Sequence, residues 1–499
     1  MSASSTPSSG ACTRSAAPQC VWRGDWGSSH SLAIVNDGLT SALEAAGRAV
    51  ERIRQLDEPS PLSVVGIAGQ WPPSFEAPSS GPFVLYQPWE FGEIPAGWTE
   101  PIRRHVDEVW TASEYSRQAF LAGGIGPDLV HVVPNGVDLE RFAPDGARAA
   151  LPTEKGTVFL FVGGTMYRKG IDILLEAYAA AFTTADDVAL VVKGFGSKSY
   201  YAGQTAEALF DVFRSRPGAP ELVTLDDDLP YEELPAVYRA ADVLVQPYRG
   251  EGFCLPALEA LACGVPVVVT AGGPTDDFVT DACAWRIPAT RLPLEADALV
   301  AEGLAPAGRG FLLEPHAEAL AVALRDAADP SARAVRAAAA RPQAERFGWQ
   351  HAAARARERL AVLAARTPIR FSAPAEVPGR RGTLFLAAAD WDAPDTWTGA
   401  LRAYVQAFSP DDDVTLVLPE GESGDALSLV AAELERAGVD PAAAPDIALA
   451  DPGPLGPYSL ELAADAVIGA HDRPSRSRLV VPPDPEALRA LVPIAEEVA

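Results

Sequence analysis

A pattern thirty-six residues long recurs in this chain. The stretch "TVFLFVGGTMYRKGIDILLEAYAAAFTTADDVALVV" (157–192) aligns without a gap on "TLFLAAADWDAPDTWTGALRAYVQAFSPDDDVTLVL" (383–418). The offset is 226 throughout, pairing Phe159 with Phe385, Tyr178 with Tyr404, Phe182 with Phe408 and Val188 with Val414. A fainter echo pairs "YRAADVLVQPY" with "ELAADAVIGAH". Runs such as "TVFLFVG" and "VALVVKG" are apolar on both faces, as central strands of a parallel sheet covered by helices must be. A chain that duplicates such a unit is therefore an α/β chain, and its tail is expected to be a partial copy of its middle.

The same alternation runs through the rest of the chain. Strands are predicted at Val21–Arg23, Leu62–Ile67, Pro82–Tyr86, Glu108–Thr111, Val130–Val133, Val158–Val162, Ala189–Val192, Val243–Gln246 and Pro266–Thr270. Helices are predicted at Ser31–Ala46, Ile171–Phe182, Tyr231–Arg239 and Leu255–Ala262, which gives a doubly wound α/β pattern. Breaks fall in the polar stretch Pro144–Pro152 and in the Pro-, Arg- and Gly-rich stretch Thr367–Gly382. At 499 residues, two or three units are expected.

Composition excludes several classes of function. A net charge of −27 argues against a nucleic-acid backbone as partner, though two or three local cations suffice for a small phosphorylated ligand. Only four lysines occur: Lys155, Lys169, Lys193 and Lys198. The five cysteines form no CxxC pair, which suits reduced thiols in the cytoplasm and offers no Cys/His metal site. Residues 1–20 carry neither a basic nor an apolar targeting region and read as a disordered tail. No apolar run reaches the ~20 residues that span a bilayer. Peripheral membrane contact and self-association stay open.

The chemistry concentrates in "GEGFCLPALEALACGVPVVVT". Glu251 and Glu259 stand eight positions apart around a turn at Gly252 and a helix that starts near Leu255. Backbone amides of Gly252, Phe253, Cys254 and Leu255 converge at that helix start, a place that suits a pyrophosphate. Glu251 can accept hydrogen bonds from sugar hydroxyls, and Glu259 can reach the ribose of the same nucleotide. The plain alternative makes Glu251 a helix cap and Glu259 a solvated face residue. Arg168 and Lys169 follow a strand and a Gly-Gly turn, at a strand's carboxyl end where α/β folds bind ligands. Lys193 ends the next strand and either lines the same cleft or is a surface lysine. "VWRGDWGSSHSLAIVNDGL" holds a glycine-rich loop between a strand and a helix, and ordinary serine capping is its plain reading.

With these residues in view, the stretch resembles the Glu-x7-Glu motif of family 4 glycosyltransferases, which have the GT-B fold. "VPNGVDLERFAP", "FVGGTMYRKGIDILLEAY", "LPYEELPAVYRAADVLVQPYRGEGFCLPALEALACGVPVV" and "RFGWQHAAARARERL" are similar to further segments of that family. The likeness covers about residues 21–366 and is densest from 131 to 275. It implies two facing Rossmann-like domains, and it implies that Gly24, Gly27 and Ser28–Ser31 of the first one meet the donor phosphates or the acceptor. The domains are an acceptor-side domain at 21–148, rejoined by a crossing helix at 345–366, and a donor domain at 149–344. Residues 367–499 then form a degenerate, noncatalytic repeat of the donor domain. It also implies a retaining, metal-independent hexosyl transfer from a nucleoside diphosphate sugar to a carbohydrate-containing acceptor. Front-face attack is expected, with no covalent nucleophile.

Three departures stand out. Gly164 occupies the position of the family's usual arginine, so Arg168 is expected to substitute for it. Cys254 stands where glycine is common, and an inert buried thiol is expected. The family's cleft histidine is not evident, which leaves Trp89, Glu90 or His105 as candidates. In the tail copy, Arg168 becomes Pro394, Lys169 becomes Asp395 and Lys193 becomes Pro419, so a single active site is expected between the first two units. "LDDDLP" (Asp226–Asp228) is the nearest approach to an acidic metal motif and reads as a loop. A noncatalytic GT-B-like partner protein, and a sugar synthase or phosphorylase of the same fold, are the competing readings.

Overall fold

The structure, a computed structural model, describes residues 20–27, 30–54, 65–78, 81–195, 206–225, 229–294, 310–364, 368, 375–387, 389–391, 393–420, 425–451, 460–461, 463–469 and 479–492. The tail at 1–19, Ser28, Ser29 and Asp226–Asp228 lie outside them. Cys20, assigned to the tail by its sequence, instead opens the first strand. Among the described residues no helix is long and apolar enough to cross a membrane.

Three parallel sheets follow one another along the chain. The first comprises β1 (Cys20–Gly24), β2 (Val50–Ile53), β3 (Val65–Gly69), β4 (Phe83–Tyr86), β5 (Glu108–Thr111) and β6 (Val130–Val132). Its strand order is β2-β1-β3-β4-β5-β6, with helices α1 (Ser31–Ala45), α2 (Ala96–His105) and α3 (Glu114–Ala122). β2 was not foreseen, because an edge strand of sequence "VERI" with two exposed residues leaves no apolar run to read.

The second sheet comprises β7 (Thr157–Val162), β8 (Val188–Lys193), β9 (Glu221–Leu225), β10 (Val243–Gln246), β11 (Val267–Thr270) and β12 (Ala284–Ile287). Its order is β12-β11-β10-β7-β8-β9, and an antiparallel hairpin follows it, β13 (Ala289–Pro293) with β14 (Phe311–Pro315). Its helices include α4 (Ile171–Ala181), α5 (Glu207–Arg214), α6 (Leu234–Ala240) and α7 (Leu255–Ala262). α6 starts three residues later than expected, since Pro235 sits in its first turn and Tyr231 lies in the turn before it.

The third sheet, β15 (Thr383–Ala387), β16 (Val414–Pro419), β17 (Ile447–Ala450), β18 (Ala466–Ile468) and β19 (Leu479–Val481), runs β17-β16-β15-β18-β19. This is the winding of β9-β8-β7-β10-β11 again. The two copies agree ring by ring: Phe159 lies 6.2 Å from Tyr178 and 5.7 Å from Phe182, and Phe385 lies 6.1 Å from Tyr404 and 5.5 Å from Phe408. Tyr178 donates to the Glu221 carbonyl at 3.1 Å and Tyr404 to the Asp446 carbonyl at 2.9 Å. The fainter echo is also structural. Asp242 accepts from the Val158 amide and Asp465 from the Leu384 amide, each at 2.8 Å.

A helix at Trp349–Ala364 ties the second unit back to the first. Its entry is shaped by glycine, because a Cβ on Gly38 would lie 2.3 Å from the Trp349 ring. Val137 bridges to Gly348 in parallel beside it. Further along, Arg359 forks onto the fully buried carboxylate of Glu108, which also accepts from the Trp110 indole at 3.0 Å. Breaking such a pair leaves a buried charge without its counter-ion, at a cost of about 3–5 kcal/mol. Arg359→Leu is accordingly expected to lower the unfolding free energy, read from chemical denaturation, by that amount. A change below about 1 kcal/mol would show that the helix is held elsewhere.

Candidate active site

The strand ends of the second sheet build the site. After β7 the chain turns at Gly163 (φ 139°) and forms one 3-10 turn, Tyr167–Lys169, closed by Gly170 in the left-handed region (φ 74°). A Cβ on Gly170 would sit 1.9 Å from the Pro247 carbonyl oxygen, so only glycine lets this turn lie on the strand end beside it. The Arg168 carbonyl accepts from the amides of Arg249 (2.7 Å) and Gly250 (3.1 Å). Arg249, 3% exposed, holds the assembly from below. Its guanidinium donates to Asp172 at 2.7 and 2.9 Å, to Glu314 at 2.5 and 3.0 Å, and to the Tyr167 carbonyl at 2.9 Å. It also stacks 3.8 Å from the Tyr167 ring.

This turn aims both cations at Glu251, itself only 6% exposed. Lys169 Nζ bonds Glu251 Oε1 directly. Arg168 Nη1 lies 3.7 Å from Glu251 Oε2 and donates to the Gly250 carbonyl at 3.0 Å. Arg168 Nη2 reaches across to Glu90 of the first unit, at 3.6 Å. Gly164 is buried in the loop just upstream. Lys193 is 4% exposed at the end of β8, next to β7 in register with Val162, so it is not the surface lysine of the plain alternative. Its Nζ donates to the Gly194 carbonyl at 2.6 Å.

Beyond Glu251, Cys254 caps α7 with φ 73° and ψ 62°. Among the described residues it is the one non-glycine in the left-handed region, which explains why glycine suits the position. Its thiol is 3% exposed and burial pushes its pKa up, as an inert thiol requires. Phe253 stacks on Phe278 with ring centroids 4.8 Å apart, and Leu255 is buried in the core, so these residues offer only backbone to a ligand.

The first unit closes directly over this loop. Ser113 donates to the Gly252 carbonyl at 2.7 Å and Ser116 at 3.3 Å, while a Cβ on Gly252 would lie 2.7 Å from Pro88. The Glu114 amide donates to Asp277 at 2.7 Å. Of the three candidates for the missing histidine, only Glu90 faces the site. Trp89 is fully buried, with its indole donating to the Glu93 carbonyl at 2.6 Å, so it is core and not a sugar contact. His105 is exposed at the last residue of α2, where the chain returns to the start of β5, away from the strand ends that carry the site.

Gly24 is also reassigned. A Cβ there would meet the Asn36 side chain at 2.2 Å and the Gly69 carbonyl at 2.9 Å, so its smallness serves strand–helix packing. Asn36, fully buried, accepts from the Trp22 indole at 3.0 Å and donates to the Gly69 carbonyl at 2.8 Å. Gly27 is exposed with open space around its Cα, and its amide donates to Asp37 at 2.9 Å. In the same loop His30 caps α1, and burial lowers its pKa.

Glu259 is not a solvated face residue. It is 3% exposed, and both its oxygens accept from tyrosines, Oε1 from Tyr231 and Oε2 from Tyr238, each at 2.7 Å. Sequence reading missed these tyrosines and Arg249. The seven-residue spacing of Tyr231 and Tyr238, which places both on one side of the chain, was the available signal. In the third unit the equivalent strand ends carry Trp391, whose indole donates to the Pro419 carbonyl at 3.1 Å and packs 5.1 Å from Trp397.

Two facing Rossmann-like units joined by a returning helix are the GT-B arrangement. The sucrose-phosphate synthase of Thermosynechococcus elongatus shares it, with a TM-score of 0.50 and 17% identity over 69% of this chain and 99% of that one. Residues 146–288 match the profile of the family described as glycosyl transferases group 1. The D-inositol 3-phosphate glycosyltransferase of Segniliparus rotundus is 34% identical over 278 residues, 49% of this chain and 60% of that one. Its counterpart from Xylanimonas cellulosilytica is 33% identical over 257 residues, 50% and 54% of the two chains. The chain thus spans little more than half the length of these relatives. Over this segment the chain is similar to glycosyl transferases group 1, on a fold that it shares with GT-B structures.

Burial raises the Glu259 pKa above its ordinary 4.5, against the two tyrosine hydrogen bonds that lower it. The folded chain then holds this proton to higher pH than the unfolded chain does. The contribution is fully present below about 4.5 and is lost as pH rises through the raised folded value. Glu259→Gln lacks that loss and can still bond both tyrosines. It is expected to unfold at a higher temperature than the wild type at pH 7, with the advantage gone at pH 4. An equal or lower midpoint at pH 7 would contradict the raised pKa.

Proposed function

We propose that the chain is a retaining, metal-independent hexosyltransferase that uses a nucleoside diphosphate sugar. The observation that carries this reading is the cluster of Lys169, Arg168 and Glu251 at the start of α7, faced by Glu90 of the first unit. A departing diphosphate gains negative charge as the glycosidic bond breaks. Fixed cations and amides stabilise that charge more in the transition state than in the ground state. Lys169, Arg168 and the backbone amides at Gly252–Leu255 supply both. Glu251, adjacent to the cations, accepts from the sugar hydroxyls and is not assigned a covalent role. Glu259 takes the ribose. Glu90 enters from the acceptor-side unit and orients the attacking hydroxyl, while the leaving phosphate receives its proton.

The donor base and the acceptor are open. The names of the relatives put a cyclitol phosphate among the acceptors to try, beside sugars, glycans and glycosylated metabolites. A cytoplasmic setting suits the buried free thiols Cys20, Cys254, Cys263 and Cys283.

Hydrolysis and transfer assays with UDP-, GDP- and ADP-hexoses, with calorimetry of the free diphosphates, test the reading. Lys169→Ala is expected to lower turnover by about 100- to 1,000-fold and to weaken diphosphate binding. Glu90→Gln should lower transfer while leaving diphosphate affinity unchanged. Absence of both turnover and diphosphate binding in the wild type would sink the enzyme reading in favour of a noncatalytic partner protein.

A further inference from the structure

We propose that Tyr231 is a removable cover on Glu259, and that a nucleotide binds by displacing its hydroxyl with those of the ribose. The inference rests on the nucleotide reading above and adds a residue that tunes affinity at that same carboxylate.

The two tyrosines on Glu259 differ in freedom. Tyr238 lies within α6, is fully buried, and packs its ring 6.0 Å from Phe142. Nothing can replace it without opening the core. Tyr231 lies in the turn ahead of α6 and is half-buried. Its ring rests between Phe142, at 5.4 Å, and the Arg141 guanidinium, at 5.2 Å. Arg141 itself reaches the exposed Glu232 at 4.0 Å, so the cover is attached on its outer side to surface groups.

A carboxylate offers about four lone-pair positions, yet Glu259 is 3% exposed and each oxygen already accepts one phenol. A ribose diol brings hydroxyl donors of the same kind as a phenol. At the Tyr231 side the exchange is one charge-assisted hydrogen bond for another, so the carboxylate is never left bare in a buried site. Opening the cover still costs free energy, and that cost is subtracted from nucleotide affinity. Tyr238 stays in place and fixes the carboxylate rotamer that the ribose meets. Tyr231 is thus a positioning residue that lowers affinity, and Tyr238 one that raises it.

The test is calorimetry of UDP, GDP and ADP, and of their 2′-deoxy counterparts, with the full chain. Tyr231→Phe keeps the ring stacking and removes only the hydroxyl. It should tighten the ribonucleotide that binds the wild type by at least about threefold. The gain should shrink for the 2′-deoxy form, which has less to offer the freed oxygen. Tyr238→Phe, by contrast, should weaken the ribonucleotide. Unchanged or weaker binding by Tyr231→Phe, or an equal gain on both sugars, would overturn the cover while leaving the nucleotide site intact. Failure of every variant and the wild type to bind any diphosphate would overturn the nucleotide reading and the cover together.

Discussion

The guanidinium of Arg249 is the contact on which the rest of the site depends. It sits beneath the junction of three segments: the 3-10 turn after β7, the first turn of α4 at Asp172, and β14 at Glu314. Two carboxylates and a carbonyl use its planar fork from different directions, which a lysine's point charge cannot reproduce. With that turn fixed against Pro247 by the absence of a side chain at Gly170, Arg168 and Lys169 have one direction to face, and Glu251 is there. The cations are arranged by the strands that carry them, before any ligand takes part.

The duplication separates packing from chemistry. The two copies keep the aromatic triad, the tyrosine-to-carbonyl bond and the aspartate on the strand amide to within a few tenths of an ångström. Among the described residues the copy does not keep the two cations of the second unit. Pro394 and Asp395 stand in for Arg168 and Lys169, and Trp391 lies across the strand ends where the second unit holds its cations. A fold-determining core tolerates this because its energy lies in buried rings and backbone pairing, while the loops at the strand ends are free to change.

Much of this was legible in the sequence because it is periodic or local. Doubly apolar runs gave the central strands, and glycine and proline punctuation gave the loops. The Glu251–Glu259 spacing, with Arg168 and Lys169 after a Gly-Gly turn, singled out a candidate cluster, of which the structure brings Arg168, Lys169 and Glu251 together. What stayed hidden depends on pairs distant in the chain. Glu90 and Trp89 are neighbours in sequence, yet one faces Arg168 and the other the core, where Trp98 of α2 and Ser116 of α3 hold it. Gly24 reads like a phosphate loop glycine, but its space is taken by Asn36, twelve residues on. Arg249 looks like one more charged loop residue until Asp172 and Glu314 are brought to it. The short edge strand β2, with its two exposed charged residues in the middle, carries no apolar run.

One diphosphate site is proposed for this chain, built by the second unit and missing from its copy. Hydrogen exchange with and without the bound nucleoside diphosphate locates it directly. Slowed exchange is expected at amides 163–170 and 249–259, with residues 389–397 of the copy unaffected. Protection in the copy, or none at the Glu251 loop while a nucleotide is bound, would contradict the account.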